Sequence, residues 1–232
     1  MRLRVLVYNV WGFRGGARSA AGAVADLSPD LVLVQECGSR RRLRRFARDL
    51  GMNAVSTRLF PLVRQIRNAV LVRPPWRVVS YRLHRFEQAR RFYPRGALIA
   101  VVGRAGYRLS AVSAHLGLAP GERIRQAKEL ADLALGMREP VLIGADVNED
   151  AQGKAASWLA DRFWDVAAKA QEAPDGPPQP TFPGRDPTAR IDFLFASEHF
   201  RIEGARVLET EEARAASDHL PVVADLGLGD GP

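Results

Sequence analysis

Polar residues of a few kinds recur where the apolar runs of this chain stop. "VLVYN" stops on Asn9, "LVLVQE" on Glu36, "SAVSAH" on His115 and "VLIGADVN" on Asp146 and Asn148. "RIDFLF" opens behind Asp192, and "ASDHLPVV" carries Asp218 and His219 just ahead of the last apolar run. Taken singly, each is an ordinary turn or capping residue. Taken together, their chemistry coheres. The carboxylates and amides are hard oxygen ligands that suit Mg²⁺ or Mn²⁺ and not a thiolate zinc site, and two imidazoles serve acid–base work near neutral pH. Asp146 and Asn148 are two apart, so an extended segment would point both to one side. Oxygen ligands for a dication, with imidazoles and amides beside them, are the equipment of phosphoester hydrolysis.

Such a set acts together only if the apolar runs are neighbouring strands that end at one edge and open on a cleft. Short β-like runs fall at 3–7, 31–34, 69–72, 77–83, 97–102, 107–114, 141–144, 191–195 and 222–226. Several are continuously apolar, as strands covered on both faces are. Helical spacing is found at 17–27, 40–50 and 121–137, the last with Ile124, Ala127, Leu130, Ala131, Ala134 and Leu135 on one face, and a fourth helix is expected at 153–163. The order of elements is mixed, which fits sheets between helical layers better than a doubly wound sheet. Residues 173–187 hold six of the fifteen prolines and read as an extended surface loop.

At 232 residues and 47% hydrophobic, the chain is expected to form a single domain over 1–232. The net charge is +8, nearly all of it from arginine, since Lys128, Lys154 and Lys169 are the three lysines. That balance fits a polyanionic partner, and it fits a compositional bias equally well. Arg40, Arg41, Arg42, Arg44, Arg45 and Arg48 occupy more than one helix face and read as solvated surface. Arg90, Arg91 and Arg95, in a loop ahead of a core strand, are better placed for substrate. Cys37 stands alone, so no internal disulfide forms, and it reads as a small buried residue. His84 and His199 read as structural or exposed. Met1 leads straight into "RLRVLVYNV", and no run reaches the length of a membrane span, so a cytoplasmic monomer without stable membrane insertion is expected.

The ordered set "VLVYNVWG", "DLVLVQE", "RNAVLV", "RGALIAVV", "SAVSAHLG", "VLIGADVNE", "TFPGRDPTARIDFLF" and "SDHLPVVADL" resembles the endonuclease/exonuclease/phosphatase superfamily across almost the full length. The resemblance implies an α+β fold, a four-layer α/β/β/α sandwich of two mixed β-sheets with the site at one edge. It implies Glu36 as principal ligand of Mg²⁺ or Mn²⁺, with Asn9 and Asp218 beside it. Asp146 would orient or deprotonate the attacking water, and Asn148 would hydrogen-bond the scissile phosphate. Asp192 would fix the tautomer of His219, which would stabilise the growing charge or move a proton. His115 would contact the phosphate or protonate the leaving group, and Asn68 would lie near the phosphate, where Arg95 is also expected from its place in the loop alone.

The first expectation for substrate is nucleic acid, from the basic charge. The alternative is a phosphatase or phosphodiesterase acting on a small or lipid phosphoester, whose lipid form is weakened by the lack of an apolar inserting loop. An abasic-site repair enzyme is disfavoured because "TAR", without a tryptophan, precedes Asp192. A catalytically silent binding module would have lost some of the polar set, which is complete.

Overall fold

The computed structural model describes residues 1–57, 65–87, 94–170 and 178–229. In chain order the strands are β1 (Arg2–Asn9), β2 (Leu31–Gln35), β3 (Asn53–Ser56), β4 (Ala69–Val72), β5 (Arg77–Arg85), β6 (Gly96–Arg104), β7 (Tyr107–His115), β8 (Val141–Asp146), β9 (Trp164–Asp165), β10 (Asp192–Ala196), β11 (Phe200–Val207) and β12 (Val222–Leu228). The helices are α1 (Ala17–Ala25), α2 (Arg40–Asp49), α3 (Pro120–Leu135), α4 (Lys154–Ala160), α5 (Val166–Ala170) and α6 (Glu211–Ala216).

Two six-stranded sheets form, in the orders β11-β12-β1-β2-β4-β3 and β5-β6-β7-β8-β10-β9. Each is mixed, since β1–β2 and β7–β8 run parallel and their other neighbours antiparallel. The continuous apolar runs have the cause inferred from sequence: one face of each strand meets the other sheet and the opposite face meets helices. Leu3, Val5, Val7, Leu33, Leu98, Ala100, Leu142 and Leu194 lie in the core between the sheets. Leu43 and Phe46 of α2 and Val24 of α1 cover the first sheet, and Leu130 of α3 and Leu159 of α4 cover the second. The architecture is the α/β/β/α sandwich.

The two sheets approach closely at Gly144. A Cβ there would sit 2.7 Å from Leu33 Cβ and 2.9 Å from Val7 Cγ2, inside contact distance. Gly144→Ala is therefore expected to lower stability by about 1–3 kcal/mol through overpacking. The measurement is a urea titration, in which the midpoint falls and the slope is unchanged.

The buried face of α3 differs from the sequence expectation. Leu135 is 59% exposed and Ile124 only half-buried, whereas Glu122 and Gln126 are buried. Gln126 accepts a hydrogen bond from the Gly117 backbone at 2.7 Å and donates to Glu122 at 3.0 Å, so this face holds the loop after β7 and not only apolar core. Part of the proline-rich stretch, 173–177, lies outside the described residues. The part that is described is not mere surface: Thr181 is fully buried and its neighbour Phe182 forms a β-bridge with Ala189.

Candidate active site

Register brings the chemistry together. His115 at the end of β7 pairs with Asp146 at the end of β8, and Asp146 pairs with Asp192 at the start of β10. On the first sheet Asn9 pairs with Gln35, which places Glu36 in the following turn. Trp11, Phe13, Glu36 and Asn148, in the loops after β1, β2 and β8, adopt positive φ, at 46°, 56°, 51° and 58°. Such conformations are uncommon for residues with a Cβ and concentrate at sites. The turn at Asn148 corrects the extended geometry expected for Asp146 and Asn148.

Asp146 is the hub. Its Oδ2 accepts from Asn9 Nδ2 at 2.8 Å and lies 3.1 Å from His115 Nε2, while its Oδ1 accepts from the Asn148 backbone at 3.0 Å. Arg95 Nη1 lies 2.7 Å from His115 Nδ1. A guanidinium only donates, so Nδ1 accepts and the ring proton sits on Nε2, donating to Asp146. Both ring nitrogens of His115 are thus engaged within the protein.

His219 is clamped between Asp192 and Phe182. Its Nδ1 lies 2.8 Å from Asp192 Oδ2, the same oxygen that accepts from Thr181 Oγ1 at 2.7 Å, and the Phe182 ring packs against the imidazole at 4.9 Å between centroids. Ser217 Oγ donates to the Asn9 carbonyl at 2.7 Å and accepts from the His219 backbone at 3.3 Å. The loop before Asp192 docks on the same segment: Gly184 donates to the Asp218 carbonyl at 2.6 Å, and a Cβ on Gly184 would meet the Ser217 carbonyl at 2.7 Å.

These groups border a cavity of about 470 Å³ lined by Glu36, Arg67, Asn68, Arg95, His115, Asp146, Asn148 and His219, with Gly12, Ile66 and Leu118 among the rest. A larger depression of about 800 Å³, between Met1, Trp164 and Phe200, lies at the opposite end of β1 and has no comparable constellation. Asn9 and Asp218 do not line the cavity but adjoin it: Asp218 Oδ1 is 4.0 Å from His219 Nε2, and Asn9 Oδ1 accepts from the Trp11 backbone at 3.1 Å. Asn148 gives one amide hydrogen to the Leu116 carbonyl at 2.9 Å. Asn68 needs correction as a phosphate contact. Both its amide hydrogens go to backbone carbonyls, of Gly96 at 2.8 Å and Ser113 at 2.9 Å, leaving only an oxygen that an anion would repel. Arg90 and Arg91 lie outside the described residues.

The sequence matches the Endonuclease/Exonuclease/phosphatase family over residues 6–219, nearly the whole chain. The protein belongs to that family. Endonuclease/exonuclease/phosphatase proteins are metal-dependent phosphoester hydrolases, and this chain is one of them. Three solved structures illustrate the shared fold. An endonuclease/exonuclease/phosphatase from Bacteroides vulgatus is 15% identical with a TM-score of 0.82, covering 99% of this chain and 100% of its own. TDP2 from D. rerio, solved with a single-strand DNA product, is 18% identical with a TM-score of 0.79, covering 97% and 99%. A mannosyl-6-phosphatase from Bacteroides thetaiotaomicron is 20% identical with a TM-score of 0.76, covering 97% and 100%. A sequence search of curated proteins finds no match.

Electrostatics of this family member's site follow from the geometry. Burial would lower the His219 pKa, but Asp192, then Asp146 and Asp218, outweigh it and push the ring up to about 10. Burial would raise Asp146, but His115, His219 and the Asn9 amide outweigh it and hold the carboxyl well below the usual range. Asp218 is raised by burial, with Glu36 and Asp146 adding to the effect. Arg95 is lowered by burial against the pull of Asp146 and Glu36. Asn9 Nδ2 lies 3.4 Å from His219 Nε2, a contact a neutral ring would welcome, yet three carboxylates outweigh one weak amide contact and keep the ring charged.

Ligating atoms of Asp146, Asp192 and His219 lie within 4.8 Å of one another, a candidate metal site by spacing. In that trio His219 already gives Nδ1–H to Asp192, and a protonated ring has no free lone pair. Glu36 differs: its carboxylate borders the cavity, and among the described residues its nearest basic nitrogen is His115 Nδ1 at 4.0 Å. Glu36, Asp146 and Asp218 gather negative charge here, with Glu36 and Asp146 adding to the burial that raises Asp218, and such a set fits a hard dication.

Thr181, Phe182 and Ser217 escape notice in the sequence because their roles are tertiary. Only the position of Thr181 and Phe182 in the proline-rich segment shortly before Asp192 hinted at them. Cys37 is fully buried, and burial pushes its thiol up to about 12, so it is not a nucleophile. Among the described residues no helix is long and apolar enough to cross a membrane.

Proposed function

We propose that this family member is a nuclease that hydrolyses phosphodiesters of nucleic acid with Mg²⁺ or Mn²⁺. The observation that carries the reading is one cavity lined both by cationic donors, Arg67, Arg95 and His219, and by the carboxylates Glu36 and Asp146. The net charge of +8 favours a polyanionic substrate. Glu36 would hold the ion, with Asp218 and Asn9 beside it. The chemistry a divalent ion supplies when bound is neutralisation of charge at the phosphoryl and leaving oxygens.

The protein's own groups divide the remaining work. Asp146 stays ionised and accepts a hydrogen bond from the attacking water, which it orients for in-line displacement. His115 and Arg95 position that carboxylate. His219, charged through Asp192, donates from Nε2 to the phosphoryl oxygen as charge grows there. Asn148 contributes its second amide hydrogen, and Thr181 with Phe182 keeps the Asp192–His219 pair aligned.

A second reading, a phosphatase acting on a small phosphomonoester, draws support from Arg67 and Arg95 standing in one cavity, since paired guanidiniums suit a phosphate dianion. The test is a substrate panel with Mg²⁺ or Mn²⁺: plasmid DNA, single-stranded DNA, RNA, sphingomyelin, inositol phosphates and mannose 6-phosphate, each with a chelator control. Nucleic acid is expected to give the highest kcat/KM by at least about tenfold, one decade being about 1.4 kcal/mol of transition-state stabilisation. A monoester at the head of the panel establishes the second reading instead, and activity that survives chelation removes the metal from both.

A further inference from the structure

We infer that the outer face of α2 is an anchoring surface for the phosphate backbone of nucleic acid, leading to the mouth of the cavity. This rests on the nuclease reading and extends it. The sequence alone reads the arginine run as solvated surface, and the structure adds three facts that change this.

First, the residues share one surface. Leu43, Phe46 and Ala47 are buried in the core, and Arg40, Arg41, Arg44, Arg45 and Arg48 line a single shallow concavity. Second, the arrangement works against the helix that carries it. Arg40, Arg41 and Arg42 occupy the first turn, which contains no acidic residue, although the helix dipole favours carboxylates there. Arg40 with Arg44, Arg44 with Arg48, and Arg41 with Arg45 are like-charge pairs at i,i+4, a destabilising arrangement. Arg45 is paired with Asp49 at 2.7 Å, whereas Arg40, Arg41, Arg44 and Arg48 have no ion-pair partner among the described residues. Third, the surface is continuous with the site. Ser39 caps α2 directly after Gly38, which lines the cavity, and Arg42 Nη1 donates at 2.9 Å to the carbonyl of Gly12, another lining residue.

Ten residues of helix span about 15 Å, the axial length of roughly four phosphates on one strand of a duplex. Guanidinium forks match phosphate oxygens bidentately. A bilayer fits less well, because the apolar side chains of α2 face inward and its outer face offers none to insert.

The test uses the full-length protein and the triple variant Arg40→Gln/Arg44→Gln/Arg48→Gln. Fluorescence anisotropy with a labelled 30-nucleotide single strand in EDTA, over a range of salt concentrations, reads affinity without cleavage. The variant is expected to bind about tenfold or more weakly at 0.1 M salt. Its slope of log affinity against log salt should be shallower by about 2, from roughly 0.7 per lost phosphate contact. Its metal-dependent hydrolysis of bis(p-nitrophenyl) phosphate should stay within twofold of wild type and its Tm should not fall. Unchanged affinity and slope in the variant, with wild type binding and cleaving the strand, overturn the α2 surface while leaving the nuclease reading intact. A wild type that hydrolyses the small diester but does not bind the strand overturns both. Loss of binding to phosphatidylserine-containing vesicles, with oligonucleotide affinity unchanged, overturns the proposal in favour of a membrane surface.

Discussion

His219→Ala is expected to slow metal-dependent hydrolysis of bis(p-nitrophenyl) phosphate by about a hundredfold or more, the usual effect of deleting one preorganised donor at a developing oxyanion. His219 is 6% exposed, carries a charge at neutral pH and lines the cavity together with Asp146, its Nε2 3.9 Å from Asp146 Oδ2. The truncation also leaves Asp192 buried opposite a void, and breaking a buried pair costs about 3–5 kcal/mol. Part of any loss could then be loss of fold. Circular dichroism melts of the variant settle that part, and His219→Gln, which keeps a polar group and most of the volume, should be folded yet still at least about a hundredfold slower. Near-wild-type turnover in a folded His219→Gln would sink the assignment of the ring as the charge-stabilising donor.

Asp192→Asn is expected to slow the reaction at neutral pH by up to about a hundredfold, approaching but not exceeding the loss of His219 itself, because the carboxylate acts through that ring. Asp192 is the leading influence that raises His219, so without it the pKa of the ring falls. The same pair has a signature in stability that is read in EDTA. The folded-state pKa of His219 is raised from 6.5 to about 10. Its contribution is therefore fully present below about pH 6.5 and is lost as pH rises through about 10. The Tm advantage of wild type over the asparagine variant should narrow across that window. A gap that stays constant would mean that His219 does not hold its proton through Asp192.

The fold was legible wherever strands are buried on both faces, because continuous apolar runs leave little else for β2, β4, β7 and β8 to be. It was not legible at β11, "FRIEGARV", where an exposed face, a mid-strand glycine and a register shift between Ile202 and Gly204 remove the apolar signal. Edge strands β3 and β9 are four and two residues long and depend on their partners for existence. The site followed the same division. Residues at strand ends announce themselves, since a buried run that stops on Asp or His is conspicuous. What the residues do to one another depends on register and loop docking. Nothing in "RNAVLV" reveals that the Asn68 amide is spent on Gly96 and Ser113, and nothing in "TFPGR" reveals a hydroxyl aimed at Asp192.

The order of the strands has one more consequence. Strands β1–β4 and β11–β12 build the first sheet and β5–β10 the second, so the second sheet is one contiguous stretch of chain set into the first. Asp192 lies on the inserted sheet, and His219 leads into a strand of the enclosing one. The Asp192–His219 pair, 2.8 Å apart, is therefore a polar tie between the two layers at the edge where the cavity opens.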